Sequence, residues 1–300
     1  MLERKGFFGP LLRLAVTLPV LWLVACATSL HLPPITESRT DVHQPGKFVW
    51  HDLLSEDVAA AKLFYGGLFG WTFESVDIGS GHNYTIAHHR GRPVAGIVDA
   101  TAFNQPVNVS QWIGVLSVED VDQAVALAKS SGGTINNGPL DLRGRGRFAV
   151  ISDPQGALVT LLRSSTGDPS DTDPANGDWL WNEVWTDKVA ASAEFYSRLA
   201  GYTQAMHRVQ AGWDYHYLTR DGIPRAGILQ NPVPELRTTW LPYIKVDNPK
   251  AVVARVPELG GKVLVAPQPN AVGGQVALIT DPTGAGFLIQ TWTPTQRGAH

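Results

Sequence analysis

From Phe48 to Leu54, apolar and polar positions alternate, and the Phe, Val and Trp among them favour a strand. Ser55 or Asp57 can cap a helix whose buried face is Val58, Ala61, Tyr65 and Leu68, and Gly70 ends it. Strand-like segments follow at 84–87 and 94–98. The cycle then restarts, with a strand at 112–118 and a helix at 121–129 stopped by Gly132-Gly133. Strands 148–152 and 158–162 follow, joined by the turn Asp153-Pro154-Gln155-Gly156. Further along, strands at 179–185, near 215 and 225, and at 240–246 alternate with helices at about 189–199 and 249–258. A second turn, Asp281-Pro282-Thr283-Gly284, closes that series. The pattern predicts an α+β chain of four βαβββ modules.

The recurrence is a duplication. An offset of 131 residues pairs Trp50 with Trp181, Asp52 with Glu183, Phe64-Tyr65 with Phe195-Tyr196, Tyr84 with Tyr215 and Ala95-Gly96 with Ala226-Gly227. Beyond Gly96 an offset of 128 pairs Trp112 with Trp240, Val118 with Val246, Gly132-Gly133 with Gly260-Gly261, and one Asp-Pro turn with the other. The first copy covers 47–163 and the second 178–292, and the Pro- and Asp-bearing stretch 164–177 reads as a linker.

Residues 1–25 have the layout of a signal peptide. Arg4 and Lys5 precede an apolar stretch whose unbroken part, about 14 residues, is short for a membrane span of roughly 20. It ends in Leu23-Val24-Ala25-Cys26, which resembles the lipobox of bacterial lipoproteins, and Cys26 is the only cysteine. That resemblance implies a lipid on Cys26 and a membrane anchor. Ala27, where an Asp would suggest inner-membrane retention, points to the outer membrane and a periplasmic face. Residues 26–46, polar and rich in Pro, Ser and Thr, read as a flexible tether. A net charge of -3, with no basic run past the first residues, argues against a nucleic-acid partner. Ten Trp suit aromatic-lined cavities or interfaces, and equally large core fillers.

Trp50-His51-Asp52-Leu53, the Phe64-Tyr65 helix, Leu68-Phe69-Gly70-Trp71, Val118-Glu119-Asp120-Val121-Asp122, Gly132-Gly133 and the Asp153-Pro154-Gln155-Gly156 turn together resemble the vicinal oxygen chelate superfamily. Its members include glyoxalase I, the bleomycin-resistance proteins and the extradiol dioxygenases. The resemblance covers both copies. It implies two tandem glyoxalase-like domains, each of two βαβββ modules with curved mixed sheets that cup a ligand, paired as an internal pseudo-dimer. Metal-dependent members hold a divalent ion with His, Gln or Glu on four strands. By the resemblance those positions fall on Trp50 and Trp181, around Gly96 and Gly227, on or near Ile113 and Leu241, and on Thr160 and Leu288. A slip by one brings His51 and Asn182 to the first position without supplying the other three. No metal and no other cofactor is therefore expected.

Alternation puts Trp50 and Asp52 on one face of their strand and His51 on the other. Asp52 and Glu183 each follow a Trp by two residues. Such an acid can orient a cationic or hydrogen-bonding ligand, act as a base if burial raises its pKa, or accept structural hydrogen bonds. The expected ligand walls are Trp50, Asp52, Tyr84 and Trp112 in the first copy and Trp181, Glu183, Trp185 and Tyr215 in the second. His88 and His89 point to opposite faces of a strand and are not expected to share a ligand. Arg143, Arg145 and Arg147 read as a solvated loop, with a small anion patch as the alternative. No phosphate loop, nucleophile elbow or Cys–His pair occurs. The expected protein is exported and lipid-anchored and binds a small, partly aromatic or apolar molecule without metal. The alternatives are a metal-dependent lyase, isomerase or dioxygenase, and an envelope protein whose cups are filled by its own side chains.

Overall fold

Capping chemistry sets the helices. In a computed structural model, which describes residues 30–79, 81–103, 105, 107–209, 212, 214–233, 236–270 and 272–292, α1 (Val58–Phe69) begins where Asp57 accepts the Ala60 N–H and ends at left-handed Gly70. α2 (Val121–Ser130) is capped by Asp120, α3 (Val189–Ala200) ends at left-handed Gly201, and α4 (Pro249–Arg255) is capped by Asn248.

The first copy contributes β1 (Phe48–Ser55), β2 (Thr72–Gly79), β3 (His82–His89), β4 (Arg92–Asp99), β5 (Gln111–Ser117), β6 (Thr134–Leu142), β7 (Gly146–Ser152) and β8 (Leu158–Ser164). The second contributes β9 (Trp179–Thr186), β10 (Thr203–Arg208), β11 (Asp214–Arg220), β12 (Ile223–Gln230), β13 (Thr239–Lys245), β14 (Lys262–Pro269), β15 (Gln275–Thr280) and β16 (Gly286–Gln290). They form two open eight-stranded sheets, ordered β2-β3-β4-β1-β5-β8-β7-β6 and β10-β11-β12-β9-β13-β16-β15-β14. The two modules of a copy meet where β1 runs antiparallel to β5, and β9 to β13, flanked by parallel pairs. This is the tandem α+β architecture expected from the sequence. The strands β2, β6, β10 and β14 complete the expected βαβββ modules and are the ones the sequence pattern leaves unplaced.

One face of each sheet carries the helices and faces the other copy. Phe64 and Tyr65 of α1 pack with Ile279, Phe287 and Val256 of the second copy, while Phe195 and Tyr196 of α3 pack with Ile151 and Val159 of the first. The copies are also bonded crosswise. Tyr65 Oη donates to Asp281 at 3.3 Å and Tyr196 Oη to Asp153 at 3.0 Å, and each accepts from an indole of its own copy, Trp112 or Trp240. The Asp of each Asp-Pro turn thus serves its own loop and the neighbouring domain. The opposite, concave faces form the two cups.

Of the stretch read as a flexible tether, residues 30–46 are described, and they lie against the first domain and the start of the linker that follows it. Leu30, Leu32 and Ile35 pack into its concave face, Thr40 and Asp41 donate backbone N–H groups to Thr166, and Asp168 accepts from Gln44 N at 2.6 Å. The polar composition conceals three apolar residues with a place to go, so this part is a strap. Cys26 and the signal-peptide residues 1–25 lie outside the described residues. Among those described, no helix is long and apolar enough to cross a membrane.

Candidate functional site

The first cup gathers Trp50, Asp52 and Tyr84. Trp50 and Asp52 share a face of β1, and Asp52 lies beside Gly96 of β4. Tyr84 Oη donates to Asp52 Oδ1 at 2.5 Å, and Trp50 Nε1 lies 3.0 Å from both oxygens. These groups fill the space over Gly96, where a Cβ would come within 1.7 Å of Tyr84 Oη and 2.3 Å of Asp52 Oδ1, so glycine is required. Burial and the Asp52 carboxylate raise the pKa of the Tyr84 phenol, which keeps it a donor.

Arg145 joins this group, a correction to its reading as a solvated residue. It is buried, with its guanidinium 5.0 Å from the Trp50 ring centre and 5.5 Å from that of Tyr84, and its Nε donates to Pro33 O at 2.7 Å. The strap supplies that acceptor from far away in sequence. Arg147 pairs with Asp122 and Asp141 at the surface. Asp52, Asn137, Thr160 and Arg145, with apolar walls that include Leu54, Ile113, Val115 and Phe148, line a cavity of about 180 Å³. The side-chain oxygen of Asn137 is buried there without a hydrogen-bond partner.

The second cup repeats the motif and fills it. Trp181 Nε1 donates to Tyr215 Oη at 3.0 Å, and Tyr215 donates to Glu183 Oε1 at 2.6 Å, again over a glycine, Gly227. Glu183 Oε2 accepts from Trp185 Nε1 at 2.7 Å and from Tyr243 Oη at 2.6 Å. Tyr243 sits opposite Trp181 just as Val115 sits opposite Trp50. Trp185, Leu241, Tyr243, Leu278 and Leu288 pack together on this concave face. Burial raises the pKa of Glu183, opposed by its hydrogen bonds from Tyr215, Tyr243 and Trp185. A cleft of about 740 Å³ between the copies borders Trp181, Glu183, Tyr215 and Tyr243 from the other side, and its Lys47 and Arg225 are both paired with Asp171.

Trp112, expected in the first wall, is elsewhere. It lies opposite Leu53 and donates to Tyr65 in the core between the copies. One step of strand parity separates it from Ile113, which does line the cavity. His51 faces away from the cup. Its ring centre lies 4.1 Å from that of Trp179, and its Nε2 is 2.7 Å from Asn182 Oδ1, its own counterpart in the second copy. Burial holds the His51 pKa down at about 4, so the ring is neutral. His89 bonds Asp178 at 2.6 Å while His88 lies near Glu74, so the two diverge. Sequence reasoning missed Arg145, Asn137 and Tyr243. For Tyr243 a signal existed, because the 128-residue offset sets it against Val115.

The positions that the resemblance assigns to metal ligands lie on the four central strands β1, β4, β5 and β8 and carry Trp50, Gly96, Ile113 and Thr160. The one carboxylate beside them, Asp52, is engaged by Trp50 and Tyr84. This set does not fit the divalent ion of the metal-dependent members. Among the described residues no three His, Cys, Asp or Glu side chains converge.

A family model for the glyoxalase-like domain matches residues 183–290. The chain is 31% identical over 248 residues to the glyoxylase-designated protein CFP32 of Mycobacterium tuberculosis (strain CDC 1551 / Oshkosh), covering 82% of this chain and 95% of that protein. It is 31% identical over 258 residues to the anthracycline biosynthesis protein DnrV of Streptomyces peucetius, covering 82% and 93%. The Mn(II)-bound glyoxalase from Novosphingobium aromaticivorans superposes with a TM-score of 0.57 at 15% identity over 83% of each chain. A catechol 2,3-dioxygenase does so with a TM-score of 0.54 at 13% identity over 83% of this chain and 89% of that one. At these identities the two structures share the fold alone.

Proposed function

The chain belongs to the glyoxalase-like family of the vicinal oxygen chelate superfamily, and on that footing we propose that it binds a small, partly apolar molecule in its first cup without a divalent metal. The observation that carries this reading is the cavity of about 180 Å³ beside Asp52. Mostly apolar walls supply burial, and a few polar groups supply orientation. An engineered cavity of roughly 150 Å³ accommodates benzene, so a ligand of about one ring matches the space. Sequestration of the kind the bleomycin-resistance resemblance implies needs no more than this. The metal-free reading rests on the donor set, because Trp50, Gly96 and Ile113 offer a cation no side-chain oxygen or imidazole. Elemental analysis of protein purified without chelators is expected to find no stoichiometric Mn, Fe, Ni or Zn. One tightly held ion per domain would overturn the reading in favour of a metal-dependent lyase, isomerase or dioxygenase.

We also propose that the chain is exported and held by a lipid on Cys26 at the periplasmic face of the outer membrane. The signal-peptide layout and the lipobox-like Leu23-Val24-Ala25-Cys26 support this. Cys26→Ser is expected to move the protein into the soluble fraction, and its retention in membranes would refute the anchor.

A further inference from the structure

The two cups are copies of one site, and in the second the space beside the acid is filled from within, so that filling shows what shape and chemistry suit the first. Tyr243 enters the second cup from the position that Val115 holds in the first. Its ring packs with Trp185, Leu241 and Leu288, and its hydroxyl donates to Glu183 Oε2 at 2.6 Å. In the first cup Asp52 stands in the place of Glu183. Asp52 Oδ1 takes the bonds from Trp50 and Tyr84, while Oδ2 accepts none from the described residues, and Val115 lines an open cavity.

We propose that the ligand of the first cup is a hydroxyaromatic molecule of about one ring, a phenol whose hydroxyl donates to Asp52 Oδ2 as Tyr243 donates to Glu183. This deepens the binding reading above and rests on it. A second observation points the same way. The Asn137 oxygen is buried in the same cavity with no partner, where the second cup has Val265 at the same register. A buried acceptor left unpaired is unfavourable, and a second polar substituent on the ring that reached it would remove that cost.

Calorimetric titration of the full chain with 4-ethylphenol, its methyl ether 4-ethylanisole, and ethylbenzene tests the assignment. The phenol is expected to bind at least tenfold more tightly than either of the others, since a lost hydrogen bond to a charged group weakens binding roughly ten- to hundredfold. Asp52→Asn is expected to shrink that preference to within about threefold. Val115→Tyr, which builds the second cup's tyrosine into the first, is expected to abolish binding of all three probes. Equal affinity of the wild type for the three probes overturns the hydroxyl assignment and leaves an apolar binding cup in place. Failure of all three to bind overturns it together with the binding reading. If Val115→Tyr does not fold, Asp52→Asn decides, and a preference that survives this change overturns the proposal.

Discussion

Both cups hold an acid, a tyrosine and a tryptophan over a glycine, yet Glu183 is buried and fully bonded while Asp52 is half-buried with one oxygen open. Tyr243 in place of Val115 and Trp185 in place of Leu54 make that difference. The same module thus supports a packed core or an open cavity according to two side chains. If so, the acids should differ in what their loss costs. Glu183→Leu strands the donors of Tyr215, Tyr243 and Trp185 in the interior. Each costs about 1–3 kcal/mol without full additivity, so a loss of about 4 kcal/mol is expected by urea denaturation. Asp52→Leu leaves Trp50 Nε1 still bonded to Tyr84 Oη and should cost about 1–2 kcal/mol. Equal losses would mean that the cups are not used differently.

The axis between the copies carries a smaller asymmetry, His51 against Asn182. Burial holds the folded-state pKa of His51 at about 4, below the ordinary 6.5. The folded state therefore resists the proton. The contribution of His51 to stability is fully present above pH 6.5 and is lost as the pH falls toward 4, in total roughly 3 kcal/mol. Glu183 acts in the opposite sense. Its folded pKa is raised, so its contribution is present below the ordinary glutamate range and is lost as the pH rises. The difference between the wild type and His51→Asn isolates the histidine. Between pH 7 and pH 4.5 the wild type is expected to lose roughly 2 kcal/mol more than the variant. Parallel pH curves would place the ring in contact with water.

Most of the fold was legible because duplication shows each signal twice: Phe64-Tyr65 with Phe195-Tyr196, and one Asp-Pro turn with the other. The edge strands β2 and β14 were not legible, since each is bonded on one side only and much of its surface meets solvent, so alternation is weak there. Which of the candidate residues meet one another was legible in the same way. Trp50, Asp52 and Tyr84 converge, as do Trp181, Glu183, Trp185 and Tyr215. Trp112 did not, because a single step of parity puts it on the helix side, and a pattern of large residues on both faces leaves parity open. Arg145 was misread because its acceptor, Pro33, and its stacking partners, Trp50 and Tyr84, are distant in sequence.

The smallest expected effect concerns Asn137, which faces the cavity where the second cup has Val265. In a cup kept open for a ligand, this residue serves the ligand at the expense of the empty protein, because its buried oxygen lacks a partner. Asn137→Val imports the filled cup's choice. It removes an unmet acceptor, adds a residue that suits a strand, and should raise stability by about 1 kcal/mol. The check is a higher urea midpoint at an unchanged slope, which separates a gain in stability from a change in the unfolded chain. The same variant should gain nothing in affinity for a ring with two polar substituents. A lower midpoint would show that water already satisfies Asn137 in the empty cup. The polar end of the cavity would then be wet, and the two cups would differ in hydration as well as in filling.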